Sequence, residues 1–151
     1  MVQQITLDIL KSIDKSLKEI KDALSIDNHE RGSYQGWDYY RIGKSLFFIQ
    51  TLTYAGATMT LNLDFTKAVQ MNRLEQVWND ATARDLSLRM YSNASNSAYV
   101  ELDNAAANTA LNRIIQAGIE YKYTAGSRLQ FYYSNFTVGK TVTIVVQADE
   151  L

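Results

Sequence analysis

Leu10, Ile13, Leu17, Ile20 and Leu24 follow one another at spacings of three, four, three and four. Those intervals put all five on one seam of an α-helix. After this segment the apolar residues change to a period of two, the signature of half-buried strands. A chain built this way folds as a short helical rod followed by a β-module. Each part has an apolar face that something must cover. The order suits a protein that assembles rather than one that catalyses.

The helix is predicted to start near Thr6-Leu7-Asp8 and to run to Leu24 on strong helix formers. Asp14 with Lys18, Lys15 with Glu19 and Lys18 with Asp22 are four residues apart on the opposite face, each worth about 0.2–0.5 kcal/mol when exposed. An isolated helix of this length is marginal in water, so the seam is expected either to fold back on the β-module or to meet other helices. No Asn or Lys interrupts the seam to enforce a dimer, which leaves a trimer open. Two heptads are too few for independent stability, so the β-module is expected to contribute to assembly. Residues 1–25 are thus read as an N-terminal amphipathic, coiled-coil-like helix. The polar stretch 26–33, which contains His29, Gly32 and Ser33, is read as a linker.

Residues 34–151 are read as an antiparallel β-sandwich or jelly-roll-like domain, which makes the fold class mainly β. Met59, Leu61, Leu63 and Phe65 alternate with Thr58, Thr60, Asn62 and Asp64. Similar runs occur at Leu46–Thr53, Leu86–Met90, Tyr99–Leu102, Ile119–Tyr123, Leu129–Tyr133 and Thr141–Val146. Proline is absent, so Gly, Asn, Asp and Ser must make the turns. The stretch 54–57 is expected to be a hairpin connection, as is Val138-Gly139-Lys140. Thr66–Trp78 fits helix or strand, with strand preferred. One helix is expected at 104–117, with Ala107, Leu111, Ile114 and Ile115 on its buried face, Asp103 or Asn104 as N-cap and Gly118 as its stop.

Composition excludes several functions. There is no Cys and only one His, so thiolate chemistry and multi-His zinc sites are impossible within one chain. The net charge of −1 offers no field to attract nucleic acid or acidic lipid. No apolar run is long enough to span a membrane or to act as a signal peptide, so a soluble product of a cytoplasm is expected. Gly139-Lys140-Thr141 lacks the earlier glycine of a phosphate-binding loop, because Ser134 stands there. His29 lies in a polar setting and is read as solvated. Paired carboxylates could hydrolyse glycans, but Asp64, Glu75, Asp80, Asp85, Glu101 and Asp103 are read as solvated strand and turn residues. No catalytic, cofactor or metal-ligating residue is assigned, and no enzyme activity is expected.

Tyr34, Trp37, Tyr39 and Tyr40 form one aromatic cluster, and Tyr132, Tyr133 and Phe136 another. Aromatic rings stack on sugars but also fill sandwich cores. Packing is the preferred reading, with Tyr34, Trp37, Tyr39 and Tyr40 kept as candidate ligand-binding aromatics.

The segment DILKSIDKSLKEIKDAL, from Asp8 to Leu24, resembles the opening helices of small virion proteins of tailed bacteriophages. The Thr/Asn/Tyr-rich β-module, which closes on an apolar strand and the tail Asp149-Glu150-Leu151, is similar to their head-decoration and head-fibre proteins. That resemblance implies a homotrimer attached to capsid or tail proteins in the virion, made in the host cytoplasm and without catalytic activity. In this reading Leu10, Ile13, Leu17, Ile20 and Leu24 form the oligomer or lattice contact. The alternative expectation is a carbohydrate- or receptor-binding module at a tail tip.

Overall fold

A computed structural model describes residues 2–24, 29–95, 97–116 and 121–151, with the side chains of α1 described as far as Ile20. The chain is mainly β, with one N-terminal helix, α1 (Val2–Leu24). The strands are β1 (His29–Tyr34), β2 (Trp37–Ile42), β3 (Ser45–Thr53), β4 (Met59–Asp64), β5 (Val69–Trp78), β6 (Arg84–Tyr91), β7 (Tyr99–Asn108), β8 (Asn112–Gln116), β9 (Lys122–Tyr123), β10 (Arg128–Ser134) and β11 (Thr141–Glu150). They form two antiparallel sheets. One runs β1-β2-β3-β11-β5-β8, with β9 also on β5; the other runs β4-β10-β6-β7. From β3 onward the chain passes back and forth between the sheets, except that β6 and β7 follow one another in one sheet and β8 and β9 in the other. The order 3-11-5-8 facing 4-10-6-7 is that of a jelly roll. The β1–β2 hairpin widens the first sheet beyond its partner.

Alternation builds the core. Leu46 and Phe48 of β3, Val142, Ile144, Val146 and Ala148 of β11, and Val69, Met71, Leu74 and Trp78 of β5 point inward from one sheet. Leu63, Leu86, Leu88, Leu129, Phe131 and Tyr133 meet them from the other. Tyr133 is fully buried, and its hydroxyl donates to Oε1 of the buried Gln76. Burial pushes the pKa of that phenol well above its usual value, so it remains a donor.

The β1–β2 turn is a two-residue loop in which both Gln35 and Gly36 take positive φ (52° and 84°), as a type I′ hairpin requires. The turn sits against the free edge of β4. Trp37 Nε1 donates to Asn62 O (2.9 Å), and Tyr34 Oη donates to Asp64 O (2.6 Å). The Gln35 amide accepts from Asp64 N and donates to Asp64 O. Three side chains of one hairpin thus satisfy an edge strand that would otherwise invite pairing.

Several expectations need correction. No helix occupies 104–116: β7 and β8 stand there instead, and Gly118 lies outside the described residues. The spacing of Ala107, Leu111, Ile114 and Ile115 fits one face of a helix, but strand pairing overrides that local pattern and leaves Leu111 and Ile114 exposed. Ala105 pairs with Leu86 along the β6 edge. Ala107 takes a positive φ of 50° at an irregularity in the strand, and its N–H donates to Asp85 Oδ1 (2.8 Å). The linker expected at 26–33 is strand from His29 onward; residues 25–28 lie outside the description. The stretches 54–57 and 138–140 are turns that cross between sheets rather than hairpins, because β3 does not pair with β4 nor β10 with β11. Thr66–Trp78 resolves as the strand β5 from Val69.

Candidate functional site

Two features stand out as binding surfaces. The first is α1. Every described side chain from Val2 to Ile20 is exposed. Leu10, Ile13, Leu17 and Ile20 are 58, 51, 60 and 55 % exposed, so the sandwich leaves the described seam bare. Leu24's side chain lies outside the described residues. Val2, Ile5 and Ile9, exposed as well, extend the apolar stripe toward the N-terminus. Lys15 and Glu19 pair at 3.9 Å on the wet face.

The second is a cleft of about 200 Å³ where the β1–β2 overhang meets the β4–β5 loop. Tyr34 and Tyr39 stand on the inner face of the overhang, with ring centroids 6.1 Å apart, each 5.5 Å from Phe48. Phe65 backs Phe48 at 6.1 Å. Glu150 of β11 ties the rim, pairing with Arg41 Nη2 and accepting from Lys67 Nζ at 2.7 Å. Glu30 stands opposite Arg41 in the β1–β2 ladder and also lines the cleft.

The four candidate aromatics therefore part company. Tyr34 and Tyr39 share the cleft. Trp37 has no exposed surface and packs 5.6 Å from Phe131, so as a ligand-binding residue it is corrected to a core residue. Tyr40 lies on the opposite face of β2, with the Arg31 guanidinium 5.3 Å over its ring. In the second cluster Tyr133 and Phe136 are buried. Tyr132 is exposed on the outer face of β10, near Arg89, which lies between it and Tyr99.

The candidate carboxylates are tied into the fold. Asp64 holds Arg128 in a two-point pair (2.6 and 2.9 Å), and Asp103 holds Arg113 likewise across β7 and β8 (2.8 and 2.5 Å). Glu75 pairs with Arg73, Asp85 accepts from Asn135, and Glu101 accepts from Ser87. Asp80 is a correction. A solvated turn carboxylate is expected there, and the side chain is instead buried. Burial alone would raise its pKa. Bonds from the Thr82 hydroxyl (2.7 Å), Thr82 N (3.0 Å) and Thr137 N (2.9 Å) outweigh that and hold the carboxyl well below the usual range. Arg84, also buried, donates to the carbonyls of Asp80, Thr82 and Ala110 and lies 4.4 Å over Trp78. Together they clamp three inter-strand loops. The sequence signal for this clamp was the spacing Asp80-Ala81-Thr82, which suits an Asx turn.

Among the described residues no group of His, Asp and Glu could hold a metal ion, and no helix is long and apolar enough to cross a membrane.

No protein-family model matches the chain, and neither does any curated protein. Solved structures of distant similarity include the cupin domain of Drosophila melanogaster CENP-C, at 9% identity and TM-score 0.31, covering 81% of this chain and 76% of that one. TmCBM61, solved in complex with β-1,4-galactotriose, is 12% identical at TM-score 0.34, covering 83% and 85%. The Yersinia pseudotuberculosis-derived mitogen is 16% identical at TM-score 0.30, covering 63% and 85%. No function transfers at these scores. The jelly-roll assignment rests on the chain's own strand order.

Proposed function

We propose that this chain is a non-enzymatic assembly protein in which α1 gathers several copies and each copy presents its jelly roll. The bare seam on α1 carries this reading: four large apolar side chains in heptad register, each more than half exposed. In the heptad frame Leu10, Leu17 and Leu24 take position a, while Ile13 and Ile20 take position d. Leu at a with Ile at d favours three or four strands over two. The helix spans about 34 Å, long enough for a parallel bundle and too short to hold without help from the β-modules.

The setting that fits is a virion, with the chain as an auxiliary protein that decorates or cements a capsid lattice. Repeated lattice sites suit such a protein because multivalent attachment turns weak single contacts into firm binding, by a factor of about 10²–10⁴. Such a role asks for copies and surfaces rather than for a titratable cluster.

The test is the full-length Ile13→Asp/Leu17→Asp variant. Its mass in solution should fall to that of one chain while near-ultraviolet circular dichroism keeps the parent's signal from the buried aromatics. Co-sedimentation with particles of the virus that encodes it should be lost with the oligomer. A variant that keeps the parent's mass would overturn the proposal. So would one that unfolds throughout, which would put the seam in the core.

A further inference from the structure

We infer that the cleft under the β1–β2 overhang is a saccharide-binding site that takes one neutral sugar ring, such as the terminal residue of a glycan. Its floor and its rim differ in the way a sugar ring requires. A pyranose has a C–H face, which packs on aromatic rings, and an equator of hydroxyls, which need donors and acceptors side by side. The floor supplies the rings of Tyr34 and Tyr39 over Phe48.

At the rim, Glu150 holds both Arg41 and Lys67 with its Oε2 buried, so the exposed Glu30 carboxylate stands as the open acceptor and the exposed Lys67 ammonium as the open donor. Vicinal hydroxyls can give to the one and accept from the other. Among the described residues, the Glu30 carboxylate, the Tyr39 hydroxyl and the Thr66 hydroxyl, all lining the cleft, take no hydrogen bond or ion pair. They are free to serve a ligand.

Charge selects the class. Arg41 and Lys67 balance Glu30 and Glu150, so the cleft has no net charge to favour a phosphate, a carboxylate or an ammonium group. A volume of about 200 Å³ suits one ring rather than a buried chain. The site is also held ready. Tyr34 is pinned to Asp64 O and Glu150 is clamped from two sides, so little side-chain freedom remains to be lost on binding.

The test screens the full chain on an array of neutral and anionic glycans, then titrates the methyl glycoside of the best terminal residue by saturation-transfer NMR. Binding to a neutral sugar is expected. Tyr39→Ala and Lys67→Ala should each weaken it about tenfold or more, and Tyr132→Ala, on the outer face of the other sheet, should leave it unchanged. If Tyr39→Ala loses the parent's circular dichroism, Lys67→Ala and Glu30→Gln at the rim decide the matter. The inference is overturned if no neutral methyl glycoside binds at about 10 mM, if only anionic sugars bind, or if affinity survives the rim substitutions. The NMR readout is monovalent, so the site stands or falls separately from the α1 oligomer.

Discussion

Replacing Trp37 tests whether this residue belongs to the fold or to a ligand. Its side chain is fully buried, with the ring 5.6 Å from Phe131 of β10 and Nε1–H donating to Asn62 O of β4 at 2.9 Å. One side chain from the first sheet therefore touches two strands of the second. Trp37→Ala removes the largest fully buried residue in the chain, a change that costs about 3–5 kcal/mol through lost burial and the cavity left behind. The whole fold is worth about 5–15 kcal/mol, so the loss is a large share of it. Trp37→Phe keeps most of the ring contact and forfeits the N–H donor, for about 1–2 kcal/mol. Urea unfolding at neutral pH reads both. With a slope of about 2 kcal/mol per molar urea, the alanine variant should unfold about 2 M earlier than the parent and the phenylalanine variant about 0.5–1 M earlier. An alanine midpoint within about 0.5 M of the parent's would refute the core assignment. The result also governs the saccharide test, because a glycan signal lost with Trp37→Ala would reflect lost fold.

Asp80→Asn probes the buried loop clamp. The folded-state pKa is depressed, so the carboxylate's contribution is fully present above its unfolded pKa of about 3.9 and fades as pH falls below it. The variant should be about 1.5–3 kcal/mol less stable than the parent at pH 7, with the gap narrowing as thermal melts move from pH 5 toward pH 2. A gap independent of pH would contradict the charged-acceptor account. Tyr133→Phe strands the buried Gln76 Oε1, whose Nε2 partner atom already lacks a bond among the described residues, and should cost about 1–3 kcal/mol. Adding Gln76→Leu removes both orphaned groups, so the double variant should regain most of that loss in urea titrations.

Strands with strict alternation were legible in the sequence. Met59–Asp64 and Thr141–Val146 each send every second side chain into one core, and no other period fits them; β11 runs on to Glu150, so Asp149 and Glu150, expected as tail, are strand residues paired with β5. The Ala/Asn run of β7 was not, because alanine carries no mark of which face it lines and its local preference is helical. β1 was missed because HERGSY has no apolar alternation, and five of its six residues are exposed. Its place in the sheet is set by the Gln35-Gly36 turn and by the bonds its hairpin makes to β4. For the cleft, the aromatic run 34–40 was visible, but the sorting within it was not. Trp37 and Tyr39 share the inner face of β2. Only the width of the facing sheet decides that Trp37 is covered and that Tyr39 lines an opening. Arg41, Lys67 and Glu150 are far apart in sequence and meet only once β11 and the β4–β5 loop are in place. Asp80 looked like a turn residue and is one, but the loop carrying Thr137 closes over it.

The central claim is that the α1 seam joins copies of this chain. Light scattering on the intact, unaltered chain across a range of concentrations tests it most directly. A mass three to four times the 17.1 kDa of one chain, falling only on dilution, is what the bare seam predicts. A mass of 17.1 kDa at every concentration would contradict it and leave the seam to a different partner.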